Sequence, residues 1–282
     1  MKFQACTPNP ELRSTVDCIW TLEAGPDETA GAIEPVLPDG CPELVLQFGD
    51  RFERVYEDGR SERQSDLVFA GQLTSQVSLR PTGTVATLGV RFRPGSAAAL
   101  LHMPQQPLLG TTHGVDALDG RLARDLAAIR DRARSMDDAV DQVQRYLCTR
   151  IASRWSDPRV LAAVEAIRRH GGQMPIDDLA TRIGMTRRHL ERRFDTFVGI
   201  SPKRLARIVR FQRALRMLQR PVGSGVTTAV ECGYADQPHF IREFSELAGC
   251  SPGAHLLRHA ELSGFFTNVV GRTSTVRPTT TA

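Results

Sequence analysis

"LATRIGMTRRHLERRFDTFVGISP", residues Leu179–Pro202, is the stretch on which the reading of the fold turns. Ile176, Leu179, Ala180 and Ile183 share one helical face, and Gly184 stops that helix. Thr186 stands where it can cap the next helix, on which Leu190, Phe194 and Phe197 fall at i, i+4 and i+7. The opposite face carries Arg188, Glu191, Arg192 and Asp195, with Arg187 and Arg193 on its flanks. A small residue four before a glycine turn lets two helices cross closely. A second helix with a charged outer face follows, so the pattern predicts a helix-turn-helix whose second helix enters the DNA major groove.

The chain then repeats the object. In "TAVECGYADQPHFIREFSELAGCSP", Thr228–Pro252, the residues Ala180, Gly184, Phe194, Gly199, Ser201 and Pro202 recur as Ala229, Gly233, Phe244, Gly249, Ser251 and Pro252. Asp236 is the expected N-cap, and Phe240, Phe244 and Leu247 the buried stripe. Pro238, Ile241, Arg242 and Ser245 face outward beside Gln237 and His239. Between the copies, "SPKRLARIVRFQRALRMLQ" reads as a helix of roughly 19 residues, or about 28 Å. Ile208, Phe211, Leu215 and Leu218 lie on one side of it, and Arg210, Arg213 and Arg216 broadly opposite. A rigid spacer of that length predicts two readers near the roughly 34 Å turn of B-DNA, one chain gripping successive major grooves.

The residue types suit the task. Arginine pairs bidentately with guanine, glutamate accepts from cytosine, glutamine pairs with adenine, and isoleucine touches a thymine methyl. The expected DNA contacts are therefore Arg187, Arg188, Glu191, Arg192, Gln237, His239, Ile241 and Arg242, with Arg193, Arg210 and Arg213 on phosphates. A single arginine-rich helix face is as readily a solvated surface; the repeat is what argues against that reading.

Bulk properties agree. The 282 residues suit two domains, and 41% hydrophobic with 24% charged residues is ordinary for a globular protein. Residues 1–156 hold 17 basic and 21 acidic side chains, a net −4, whereas 157–260 hold 17 and 10, a net +7. The basic half expects an anionic partner. No apolar run has the length of a membrane span, and the N-terminus lacks the apolar centre of a signal peptide, which predicts a cytoplasmic protein with no membrane partner. The six cysteines form no C-x-x-C pair and read as reduced, small apolar residues, a redox role for Cys6, Cys18 or Cys41 being the alternative.

Before residue 110 the chain reads as β: "CIWTLE", "ELVLQF", "RFERVY", "SDLVFAG", "QVSLRP" and "ATLGVRF" alternate with turn formers such as "PDG" at Pro38–Gly40. The expectation is a small barrel or sandwich. Trp20, Phe48, Phe52, Tyr56 and Phe69 either line a pocket for an apolar effector or form its core, the core being the simpler reading. Residues 111–154 read as a helical connector, with stripes at Leu118, Leu122, Leu126 and Ile129 and at Met136, Val140, Val143, Leu147 and Ile151. Those stripes pack either on the β domain or on a second copy of the chain. Asp157–Pro158 opens the helical domain as N-cap and first-turn proline, over 157–262, and the Thr-rich 263–282 reads as a flexible tail.

His102 and His113 are the histidines of the first half, with no ligand spacing between them. There is no G-x-S-x-G, H-E-x-x-H or phosphate loop either, so neither a catalytic site, a metal nor a cofactor is expected.

Residues from about 157 to 259 resemble the DNA-binding domain of AraC/XylS-type transcription regulators. The resemblance rests on the paired A-x-x-x-G elements, "RRHLERRF", the two "SP" openings and "GYADQPHFIREF". It implies an α+β chain: a β-rich, cupin-like regulatory domain, a helical connector, and an all-α domain with two helix-turn-helix units joined by a long helix. The family's base-reading positions fall on Arg188, Glu191 and Arg192, and on Gln237, Pro238, His239, Ile241 and Arg242. Pro238 departs from the usual polar residue there. Operator DNA, a small-molecule effector, RNA polymerase and a second copy of the chain are the implied partners, and transcription activation the implied role. A first half that serves as a protein-interaction platform is the alternative. Some relatives repair DNA through a cysteine alkyl acceptor, but Cys6, Cys18 and Cys41 lack the spacing for it.

Overall fold

The computed structural model describes residues 1–151, 155–218 and 225–261; the 263–282 tail expectation lies outside them. The first part has two sheets. The strands β1 (Lys2–Cys6), β2 (Val16–Ala24), β4 (Glu43–Gln47), β7 (Leu67–Ala70), β9 (Val85–Phe92) and β10 (Thr112–Gly114) form a six-stranded sheet in the order β1-β2-β9-β4-β7-β10. The strands β3 (Glu34–Val36), β5 (Glu53–Val55), β6 (Ser61–Arg63) and β8 (Val77–Arg80) form a second sheet, β3-β8-β5-β6. All pairings are antiparallel. The short helices α1 (Pro26–Thr29), α2 (Ala98–Leu101) and α3 (Val115–Leu118) decorate the connections.

This arrangement corrects the barrel alternative. The end strands β1 and β10 do not pair, and no strand belongs to both sheets, so nothing closes. The sheet period of two sends Ile19, Leu44, Leu46, Phe69, Leu88 and Val90 to one face of the large sheet. There they meet Leu122, Leu126, Ile129, Val140, Val143 and Leu147 of α4 (Gly120–Arg132) and α5 (Met136–Arg150) in one buried cluster. The other face, with Cys18, Trp20, Leu22 and Val85, packs a smaller cluster against Phe52. The aromatic set therefore does not line a common cavity: Trp20 and Phe52 sit in one core, Phe69 in the other, and Tyr56 lies near the surface with its hydroxyl on Glu62 Oε2 at 2.8 Å. Gly89 pairs with Trp20 across β2–β9, and a Cβ there would stand 2.1 Å from the indole.

The connector stripes are thus buried within the chain, each large side chain contributing about 1.5–3 kcal/mol on burial.

The helical part runs α6 (Pro158–Arg169), α7 (Ile176–Arg182), α8 (Arg187–Phe197), α9 (Pro202–Leu218), α10 (Gly225–Glu231), α11 (Gln237–Ala248) and α12 (Pro252–Glu261). Leu179, Ala180, Leu190, Phe194, Ile208, Phe211, Leu215, Phe240, Phe244 and Leu247 share its core. No helix of the described residues is long and apolar enough to cross a membrane.

Candidate nucleic-acid interface

The first helix pair is built as its residues dictate. Gly184 takes φ 66° where α7 ends, a left-handed turn that glycine adopts without steric cost. The Thr186 hydroxyl accepts the His189 N–H at 3.3 Å and so starts α8. Leu190, Phe194 and Phe197 are buried, while Arg187, Arg188 and Arg192 are exposed and Glu191 is half-buried. Arg187 and Glu191 are paired, Nε to Oε1 at 3.0 Å, and Arg187 also reaches Asp177 at 3.4 Å. Glu191 chiefly, with Asp177, raises the Arg187 pKa further. Arg188 and Arg192 make no side-chain ion pair among the described residues, and so are the guanidiniums open to a ligand on this face.

The second pair repeats the construction. Gly233 takes φ 79°, and Asp236 accepts the His239 N–H at 2.7 Å to start α11. Pro238 sits in the first turn of α11, where its missing N–H costs nothing. Gln237, Pro238, Ile241 and Arg242 are exposed and His239 is half-buried. His239 leans on Tyr234, ring centroids 5.4 Å apart, and its Nε2 lies 3.7 Å from Glu243. The spacer α9 has 17 residues, about 26 Å of helix at its 1.5 Å rise.

Two of the expected phosphate contacts are engaged inside the protein. Arg193 donates Nε to Asp157 at 2.6 Å and lies 4.5 Å over the Phe197 ring. Arg210 donates to the Gly172 carbonyl at 3.1 Å and to Glu243 at 3.2 Å, with its guanidinium over Tyr234. Periodicity placed both outside because it counts apolar positions only. It has no view of a buried acid 36 or 33 residues away, and Glu243, which also accepts from Arg207 at 2.9 Å, is invisible to it for that reason. Arg213 lines an open basic groove with Arg168, Arg169 and His170.

Residues 179–258 match the family description "Helix-turn-helix domain", and residues 4–113 match "Domain of unknown function (DUF6597)". Residues 179–258 are an AraC-type helix-turn-helix domain. The HTH-type transcriptional regulator GbdR of Pseudomonas aeruginosa is 34% identical over 77 residues, 27% of this chain and 21% of that protein. The HTH-type transcriptional regulator MtrA of Neisseria gonorrhoeae is 26% identical over 152 residues, 54% of this chain and 48% of that protein. The chain thus spans half or less of the curated relatives it matches. A solved transcriptional regulator from Chromobacterium violaceum, described as AraC-type, is 28% identical with a TM-score of 0.35, over 37% of this chain and 94% of that one.

The AraC-type domain is not free of the β part. The Pro38–Gly40 turn, read from sequence as feeding a strand, is a joint onto α9. Gln212 donates Nε2 to the Pro38 carbonyl at 2.7 Å, and a Cβ on Gly40 would stand 2.9 Å from Leu205. Leu37 and Ala98 complete the core of the helical domain. The Gln105 N–H donates to the Thr196 carbonyl at 2.9 Å, so the last turn of α8 rests on the β part while the basic face of α8 stays outside.

Burial pushes the Cys18 thiol up to about 12, partly offset by Arg91, and burial likewise raises Cys6 and Cys41. A thiol held protonated is a poor nucleophile. No cluster of three metal-ligating side chains occurs among the described residues.

Proposed function

We propose that this chain is a sequence-specific transcription regulator whose α8 and α11 enter successive major grooves of duplex DNA. One observation carries the reading. Both second helices bury every large apolar residue of their stripes yet hold Arg188 and Arg192, and Gln237, Ile241 and Arg242, in solvent on the outward face. Arg188, Glu191 and Arg192 read bases on the first helix, with Arg187 beside them. Gln237, His239, Ile241 and Arg242 serve the second, with more weight on DNA shape and phosphate because Pro238 occupies its front.

Arg213 is the phosphate contact we retain; Arg193 and Arg210 would first have to leave Asp157 and Glu243. The regulator names of GbdR and MtrA support the same reading. It carries with it a cytoplasmic location, RNA polymerase as the machinery acted on, and no catalytic step. The β part modulates the readers through the Pro38–Gly40 joint.

Selection of preferred sites from random duplexes by the full chain, followed by footprinting, tests it. Protection of two successive major grooves by one monomer is expected. Binding with no sequence preference would overturn the reading.

A further inference from the structure

Beside the Pro38–Gly40 joint lies a cavity of about 160 Å³ with one wall from each domain. The β part contributes Asp17, Arg91 and Pro94; α6 contributes Arg168, and α9 contributes Leu205 and Val209. Its charges are not equally engaged. Arg91 is 7% exposed and held by Asp39 and by Glu43 Oε1 at 3.0 Å, so its guanidinium is neutralised in place. Asp17 is held less closely. Its oxygens lie 3.8 Å from Arg91, 3.8 Å from Arg93 and 3.7 Å from Arg168, beyond hydrogen-bond distance in every case. Among the described residues, that 3.7 Å approach is the ion pair that the Arg168 side chain makes. A carboxylate of the β part and a guanidinium of the helical part therefore face each other across the cavity without a hydrogen bond.

The arrangement selects the chemistry of an occupant. A simple anion on Arg168 would be set against the Asp17 carboxylate. A simple cation on Asp17 would be set against Arg91, Arg93 and Arg168, with Arg216 on the rim. A molecule that carries both charges a few bonds apart satisfies both, and Pro94, Leu205 and Val209 give its carbon skeleton an apolar wall. The volume is close to that of a cavity of roughly 150 Å³ known to hold benzene, about six heavy atoms.

We infer that this interdomain cavity is an effector site for a small zwitterion, of which a short α-amino acid is the simplest case. Its carboxylate meets Arg168 and its ammonium meets Asp17. Each contact is a charge-assisted hydrogen bond, which Asp17 and Arg168 do not make with each other. The inference rests on the proposed DNA-binding function for its consequence. The ligand ties the β part to α6 and to α9, the helix that separates the two readers, so occupancy changes how the readers are held.

The test uses the full chain. Thermal unfolding is followed with glycine, L-alanine, L-serine, L-proline or L-valine, each at millimolar concentration, against acetate and methylammonium as single-charge controls. Affinity for the selected duplex is measured by fluorescence anisotropy on the same preparations. At least one amino acid is expected to raise the unfolding temperature by several degrees and to change duplex affinity about fivefold or more, the lower end of ordinary coupling. Asp17→Asn and Arg168→Gln should each abolish both effects. Each variant's own unfolding temperature without ligand is its baseline, so that stability lost with the charge pairs at 3.7 and 3.8 Å is not counted as lost binding.

Equal stabilisation by acetate would mean a plain anion site and overturn the zwitterion. No stabilisation by any amino acid would overturn the site, and duplex binding retained in that experiment would leave the DNA reading standing. An amino acid that binds without moving duplex affinity would overturn the effector role. Stabilisation by an amino acid in a protein that binds no duplex would keep the site and remove the DNA reading.

Discussion

Asp157 holds the first reader in place, and its replacement separates two effects that the structure superimposes. Its carboxylate caps α6, accepting from Arg159 N at 2.9 Å and Val160 N at 3.4 Å, and also takes Arg193 Nε of α8 at 2.6 Å. The cap contributes about 1 kcal/mol. A hydrogen bond to a charged partner contributes about 1.5–3 kcal/mol. With Asp157 10% and Arg193 35% exposed, solvent screening brings that second contribution down to about 1–2 kcal/mol.

Asparagine caps as well as aspartate but carries no charge, so Asp157→Asn should lose about 1–2 kcal/mol, mostly from the ion pair. Asp157→Ala should lose about 2–3 kcal/mol, cap and pair together. Urea unfolding of the full chain, followed by far-UV circular dichroism, gives both values. A double-mutant cycle with Arg193→Ala isolates the pair.

The pH dependence has a definite sign. Burial acts to raise the Asp157 pKa, but the Arg193 hydrogen bond and the two backbone donors outweigh it and hold the carboxyl below its ordinary value. A depressed folded pKa contributes stability that is fully present above the unfolded value of about 3.9 and lost as pH falls through the folded one. The gap between wild type and Asp157→Asn should therefore close below about pH 4. A coupling under about 0.3 kcal/mol in the cycle, or an asparagine variant as stable as wild type at pH 7, would refute the assignment of α8 anchoring to this pair.

Three further outcomes are expected. Arg192→Ala should relax base preference at one position and cost about 1–3 kcal/mol on the preferred site; site selection that returns an unchanged preference at lower affinity would remove α8 as the reader. Arg213→Ala should weaken all duplexes alike and lower the salt slope of binding by about 1, read from affinities over a range of salt. Gly89→Ala should destabilise the β part by about 1–3 kcal/mol, because the new methyl overlaps the Trp20 indole from a neighbouring strand, and a calorimetric scan would show it. An unchanged scan would mean that Trp20 moves aside freely.

Much of the helical domain could be read from the chain alone. Its rules are local: a hydroxyl or carboxylate cap at Thr186, Asp236 and Asp157, a left-handed glycine at Gly184 and Gly233, and a stripe at i, i+4 and i+7. Each acts within a few residues of sequence, so a single sequence displays it. The repeat of those signals turned a basic helix face into a candidate interface.

Tertiary structure decided everything that depends on residues far apart in the chain meeting. It closed no barrel and divided the aromatic residues between two cores. It turned the connector stripes inward onto the large sheet, and paired Arg193 and Arg210 with Asp157 and Glu243. It also made the Pro38–Gly40 turn a joint with Gln212, 174 residues distant, and set Asp17 opposite Arg168. Periodicity ranks positions by how apolar they are; which acid meets which base is settled by packing, and packing is settled only when the whole chain has folded.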